Sequence, residues 1–249
     1  MKPTANKILI TGGASGIGLR LAQEFQKLGN QVIVAGRRQA QIDDVTAATG
    51  ITGYVLDVDN PQAIVDFAAK ITAEHPDLNV LLNNAGIMKV EPQGDEPINL
   101  AIAEASVTTN LLGPIRLIAA LLPHLRRQPQ ATIINVSSGL AFVPLAATPT
   151  YNATKAAIHT YTVSLRRLLR ETNVEVLELI PPSVQTNLFP GHAEDPNSMP
   201  LADFIAETMA EFQRQPTPSE IKVKRLAFLR DAEAEGRFDE AFDIVNGGH

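Results

Sequence analysis

Short apolar runs separated by longer mixed stretches form the first pattern along this chain: KILIT (7–11), QVIVA (31–35), TGYVLDV (52–58), NVLLN (79–83), ATIINVS (131–137) and VEVLELI (174–180). Several are apolar at successive positions instead of alternating, as strands covered on both faces should be. The segments between them are long enough for crossover helices. Six strands alternating with helices predict an α/β fold built on a doubly wound parallel sheet, with helices on both faces. Ligands of such sheets sit at the carboxyl ends of the strands, so the residues just after each run are the candidates for chemistry.

After Ile180 the pattern changes. PPSVQTNLFPGHAEDPNSMP has the composition of a loop, and LADFIAETMAEFQRQ that of a helix, so 187–215 is expected to be a substrate loop and lid helix. The tail, 216–249, is charged and mostly helix-prone, with EIKV (220–223) a weak seventh strand. No repeat or linker divides the chain, and 249 residues with 45% hydrophobic side chains suffice for one large core, so a single domain over 1–249 is expected. The balance of 21 Lys+Arg against 27 Asp+Glu, net charge -6, argues against a nucleic-acid partner. Cysteine is absent, which excludes disulfides and thiolate metal sites. The five histidines follow no metal-ligand spacing, so no metal is expected. His159 is read as a surface or interface residue, and His75, His124, His192 and His249 as solvated or loop-bound. The start, MKPTANK, carries no apolar leader, and the apolar runs stop short of the roughly 18 residues a membrane span needs, so a cytoplasmic protein without a span is expected.

Chemistry enters at ILITGGASGIG, where Gly12, Gly16 and Gly18 follow the first strand and open a helical pattern. Glycine lets the backbone turn tightly and approach a pyrophosphate, while the free N–H groups of the helix start, around Gly16, Ile17 and Gly18, favour the anion. Ser15 can serve as cap and phosphate donor, and Thr11 can tie the turn down. Past the second strand come Arg37 and Arg38, where an NAD enzyme would keep an acid for the ribose. Arginine there suits a 2'-phosphate, so NADP(H) is favoured over NAD(H). Asp57 can accept from an adenine amino group and Val58 pack on its ring. Tyr151 and Lys155 are four residues apart and share a helical face. A phenol ordinarily titrates near 10, and an adjacent ammonium is expected to lower that and make Tyr151 a usable general acid/base. Pro114 removes the usual donor to the Asn110 carbonyl, so the helix around it should kink and free that carbonyl.

Taken together, TGGASGIG, NNAG (83–86), Asn110, Ser138 and Y-x-x-x-K over 151–155 resemble the short-chain dehydrogenase/reductase family in its single-domain form, a Rossmann fold. SGLAFVPLAATPTYNATKAA is similar to a bacterial subgroup of its oxidoreductases, some carrying the name DltE. The resemblance implies hydride transfer between a nicotinamide and a carbonyl or secondary alcohol, with Tyr151 as acid/base, Ser138 in preference to Ser137 orienting the substrate oxygen, Lys155 tuning Tyr151, and Asn110 in a proton relay. It implies that Asn83 bonds neighbouring strands, that Asn84, Ala85 and Gly86 line the cofactor ribose, and that Pro181, Val184 and Thr186 hold the nicotinamide end. Pro182 stands where the family often has glycine, which stiffens that loop. Leu140, Phe142, Leu188 and Phe189 are candidate pocket walls. The helices over 106–127 and 150–171 are broadly apolar, and their family role is a dimer interface. The alternative reading is a non-catalytic NADP-binding regulatory or interaction protein on the same fold.

Overall fold

The computed structural model describes residues 1–91, 97 and 99–247. Its seven strands, β1 (Lys7–Thr11), β2 (Gln31–Gly36), β3 (Thr52–Val55), β4 (Val80–Asn83), β5 (Ala131–Val136), β6 (Val174–Ile180) and β7 (Glu220–Lys222), form one parallel sheet in the order β3-β2-β1-β4-β5-β6-β7. All six apolar runs supply strands, and EIKV supplies the seventh, paired to β6 as Glu178↔Glu220, Leu179↔Ile221 and Ile180↔Lys222. The third run ends sooner than its apolar pattern suggests, at Val55, because the chain turns through Asp57–Asn60 into the next helix.

The helices are α1 (Gly16–Lys27), α2 (Gln39–Thr49), α3 (Pro61–Glu74), α4 (Leu100–Val107), α5 (Gly113–Leu125), α6 (Pro149–Leu169), α7 (Leu201–Gln213), α8 (Ala227–Arg230) and α9 (Phe238–Val245). Alternation along each strand splits the core into two layers. Ile8, Ile10, Val34, Leu82, Leu177 and Leu179 meet Leu21 and Phe25 of α1, Ile42 of α2, and Phe204 and Phe212 of α7. On the other face Leu9, Ile33, Leu81, Ile133 and Val176 meet Ile64 of α3, Leu117 and Leu121 of α5, and Leu165 of α6. Each such side chain, taken out of water, stabilises the fold by roughly 1.5–3 kcal/mol, so the two layers together hold the strand ends in register.

One stretch corrects the sequence reading. Leu100–Leu125 is 26 residues long and, by length and composition alone, apolar enough to cross a membrane. Here Leu117, Ile118, Leu121 and Leu125 lie in the second core layer against α3, so the apolarity serves the sheet. Midway, α4 passes into α5 through a π-helical turn, Thr108–Leu112, in which the Gly113 N–H donates to the Thr108 carbonyl five residues back. The irregularity expected from Pro114 thus takes the form of a widened turn, which carries Asn110.

The tail folds onto the loop that follows Ser138. Val143 packs with Ala232 and Ala241, bordered by Phe228, Phe238 and Phe242. Asn246 accepts from the Ala146 N–H at 2.6 Å and donates to the Pro144 carbonyl at 3.1 Å. A segment legible only as charged and helix-prone therefore braces one wall of the site region.

Candidate active site

Sheet order reverses at β1, with β2 and β3 on one side and β4 to β7 on the other, and the turns after β1 and β4 face each other across that point. The Thr11 hydroxyl accepts from the N–H groups of Asn84 and Ala85, both at 3.1 Å, which locks the two turns together. Asn84 donates to the Thr11 and Gly12 carbonyls at 3.1 and 3.2 Å. Its side chain is therefore a strut for the glycine turn. Asn83 bonds Asn135 on β5 at 2.9 Å, as expected.

Gly12 (φ 64°) and Gly16 (φ 52°) adopt left-handed conformations that side chains resist. A Cβ on Gly12 would also lie 2.9 Å from the Ala85 Cα. Ser15 occupies the cap position of α1 with extended backbone, but its hydroxyl makes no cap bond, and the first turn carries no acid. The Gly16, Ile17 and Gly18 N–H groups thus stand at a helix start with the positive dipole end and no carboxylate competing for them. This arrangement fits an anion such as a pyrophosphate. Thr186, in the loop after β6, approaches Gly16, 3.7 Å from where a Cβ would sit, so that loop reaches the same cleft. Pro181 fixes the loop's start by accepting from the Gly139 N–H at 2.8 Å, and Val184 is buried and bridges to Met199.

Arg37 and Arg38 are exposed beyond β2, and Arg37 pairs with Asp59 at 3.5 Å. Asp57 is exposed and accepts from the Asp59 N–H. Asn60, not Asp57, caps α3 by accepting from Gln62 and Ala63. The Val58 side chain corrects the expectation of a ring contact. It is 5% exposed and packed in the core, against Gly113.

The catalytic candidates converge at the ends of β4 and β5. Tyr151 and Lys155 are both buried, one turn apart on α6. Ser138, just past β5, accepts from the Leu140 N–H at 3.1 Å and faces the Tyr151 phenol. The Ser137 hydroxyl is buried without a hydrogen-bond partner. Asn110 grips the chain after NNAG: its amide accepts from the Ile87 N–H at 2.8 Å and donates to the Ile87 carbonyl at 2.9 Å. It also donates to Thr154 Oγ1 at 3.2 Å, which ties the π turn to α6. A Cβ on Gly86 would lie 3.3 Å from Asn110 Oδ1 and 3.8 Å from Lys155 Nζ, so these three residues share one corner.

The electrostatics correct a central expectation. Burial pushes the Tyr151 phenol up to about 12, and the bond with Ser138 opposes only part of that rise. Lys155 does not bring it down: its Nζ donates to the Val136 carbonyl at 2.8 Å and lies over the Tyr151 ring face, 5.6 Å from the centroid. Burial also pulls Lys155 down to about 8, against the attraction of Glu178. With the protein's own groups alone, Tyr151 keeps its proton at neutral pH, as a donor to a substrate oxygen must.

Glu91 was not singled out by its sequence. It is buried, and its carboxylate accepts from the Thr150 N–H at 2.7 Å and the Thr150 hydroxyl at 2.9 Å, capping α6 next to Tyr151. Among the pocket candidates, Leu140 lines a cavity of about 430 Å³ with Pro149, Asn152 and Phe242. The Phe142 ring packs between Arg230 (4.5 Å) and His159 (4.8 Å). Leu188 is exposed, and Phe189 packs on His192 at 4.8 Å. Two other histidines differ from expectation. His124 is buried and bonds the Leu78 carbonyl, and His159 pairs with buried Glu178. His75 bonds the Tyr54 hydroxyl at 2.9 Å, and His249 lies outside the described residues. Among the described residues no three His, Asp or Glu side chains gather at a metal-binding distance.

Comparison with known proteins agrees with this geometry. A family model described as short chain dehydrogenase matches residues 6–197. The chain is 38% identical over 253 residues to an uncharacterized oxidoreductase, DltE, of Bacillus subtilis (strain 168), covering 99% of this chain and 98% of that protein. It is 32% identical over 179 residues to the NADP-dependent 3-hydroxy acid dehydrogenase YdfG of Escherichia coli (strain K12), covering 70% of this chain and 71% of that one. Among solved structures, a short-chain dehydrogenase from Streptomyces avermitilis matches with a TM-score of 0.82 at 26% identity, covering 95% of this chain and 94% of that one. The closed form of serine dehydrogenase complexed with NADP+ matches with a TM-score of 0.79 at 26% identity, covering 87% and 94%.

Proposed function

Because the chain belongs to the short-chain dehydrogenase family of oxidoreductases, we propose that it is an NADP-dependent carbonyl reductase or alcohol dehydrogenase acting on a small carbonyl or secondary alcohol. The observation that carries this reading is the meeting of Ser138, Tyr151, Lys155 and Asn110 in one buried corner beside an anion-ready glycine turn. The N–H groups of Gly16, Ile17 and Gly18 would hold the pyrophosphate, Asp57 and the backbone at Val58 the adenine, and Ala85 and Gly86 the ribose. Pro181, Val184 and Thr186 would hold the carboxamide end. When bound, the nicotinamide supplies the hydride to a carbonyl carbon or takes it from an alcohol.

The protein's part is placement and proton transfer. Ser138 orients the substrate oxygen, and Tyr151 donates its proton as charge develops there, so a carbonyl becomes an alcohol. Lys155 and the Asn110 main-chain carbonyl belong to the path that returns the proton. Leu140 and the loop over 187–200 shape the substrate side.

Arg37, with Arg38, is assigned to the 2'-phosphate. Both relatives named for NADP, YdfG and the serine dehydrogenase complex, point the same way. Arg37→Ala is expected to weaken NADPH binding roughly tenfold to a hundredfold, the worth of a hydrogen bond to a charged group, and to leave NADH binding unchanged. Fluorescence titration with both cofactors measures this, and an equal loss for the two would remove the assignment.

The proposal extends to a homodimer through α5 and α6, since α6 leaves Val163 45% and Leu168 73% exposed on one protomer. Sedimentation velocity should return twice the chain mass, and a chain that stays monomeric at all concentrations would contradict it.

A further inference from the structure

Glu178 is a carboxylate in the middle of β6 with no exposed surface at all. A buried charge is costly unless it is paired, so its surroundings indicate why it is there. The sheet register aligns Asn83 with Asn135, Asn135 with Glu178, and Glu178 with Glu220. Aligned residues of parallel strands point to the same face, which makes these four one polar row across β4, β5, β6 and β7. Helix α6 lies over that row with Tyr151, Lys155 and His159 at successive four-residue steps, hence on one helical face. Asn135 donates to Thr162 of α6 at 2.9 Å. His159 Nδ1 sits 2.9 Å from both Glu178 oxygens. At the outer end Arg230 holds Glu220 at 2.8 and 3.1 Å, with Lys222 at 3.9 Å, and stacks on the Phe142 ring that also meets His159.

Lys155 Nζ donates to the Val136 carbonyl and lies over the Tyr151 ring, and neither partner is an anion. The Glu178 carboxylate is bonded to His159, one helical turn beyond Lys155 on the same face of α6. We propose that Glu178, held in place by His159, is a positioning residue that keeps the Lys155 side chain positively charged next to Tyr151. The proposal rests on the reading of Tyr151 and Lys155 as a catalytic pair, and it gives the polar row a purpose: a strand carboxylate compensates an ammonium that burial would otherwise discharge. Its direction agrees with the opposed effects on Lys155, lowered by burial and raised by Glu178.

The test is an NMR titration of Lys155 in the full chain, with lysine labelled at Cε and the resonance assigned by its loss in Lys155→Met, run with and without NADP+. Glu178→Gln keeps shape and removes charge. Lys155 should then lose its proton about one pH unit lower than in the parent. Glu178→Asp keeps the charge, and its Lys155 should titrate near the parent value. Should Glu178→Gln fail to fold, the double variant Glu178→Gln, His159→Gln places two neutral amides that can bond each other, and should show the same downward movement. A Lys155 titration identical in the parent and the neutral variants would overturn the proposal. So would a downward movement in Glu178→Asp as large as in Glu178→Gln, since that would reflect packing and not charge. Neither result depends on turnover, so both are distinct from a failure of the oxidoreductase reading, which a parent enzyme inert toward carbonyl compounds would reveal.

Discussion

Tyr151→Phe is expected to lower turnover about a hundredfold to ten-thousandfold, the range a positioned general acid contributes, and to leave NADPH binding intact. The substitution removes one hydroxyl from a side chain that is 5% exposed, and the ring beneath the Lys155 ammonium remains. Ser138 loses a partner but keeps the Leu140 N–H. The loss should therefore appear in kcat, with thermal stability and cofactor titration close to the parent. Since the phenol is pushed up to about 12, it carries its proton throughout the neutral range. A variant that retained parental kcat would show that the proton comes from elsewhere.

Gly18→Ala should damage both the fold and the cofactor cleft. A Cβ at Gly18 would lie 2.4 Å from the Gly12 carbonyl oxygen and 2.5 Å from Asn84 Nδ2. Neither atom can retreat cheaply, because Asn84 is bonded to the Gly12 and Thr11 carbonyls that define the turn. Overpacking of this kind costs about 1–3 kcal/mol, and the same displacement moves the N–H groups at the start of α1. Thermal melting should fall by several degrees, and NADPH and NADH affinity should fall together. Gly36→Ala is the control: its Cβ would meet Ile42 at 3.5 Å and Ala14 at 3.7 Å, ordinary contacts that should leave melting near the parent. A Gly18→Ala chain that melts and binds like the parent would show that the turn is not the rigid cradle described.

Much of the fold was legible because parallel strands buried on both faces leave continuous apolar runs. VLLN and ATIINV are buried at every position. β7 was faint because it is three residues at an edge, Glu-Ile-Lys, with Ile221 as its only fully buried member. The candidate site residues were legible from spacing, since a turn after a strand and two residues one helical turn apart are local facts. Their electrostatics were not. Whether Lys155 acts on the Tyr151 oxygen or on the Val136 carbonyl depends on tertiary packing, and so does the burial that dominates both groups. Glu91 and Glu178 were invisible for the same reason. Each looks like an ordinary charged residue in sequence, and only the fold brings one to the start of α6 and the other beneath it. The side-chain partners of Asn84 and Phe142 were not legible either, because sequence gives the turn and not the direction of the side chain.

The account is tested most directly by incubating the parent enzyme with NADPH deuterated at the transferable nicotinamide position and a chemically broad panel of aldehydes and ketones. It predicts oxidation of NADPH that requires an added carbonyl compound, with the deuterium recovered on the carbinol carbon of the alcohol formed. Tight binding of NADPH with no oxidation by any member of the panel would contradict it and favour a regulatory role for the same fold.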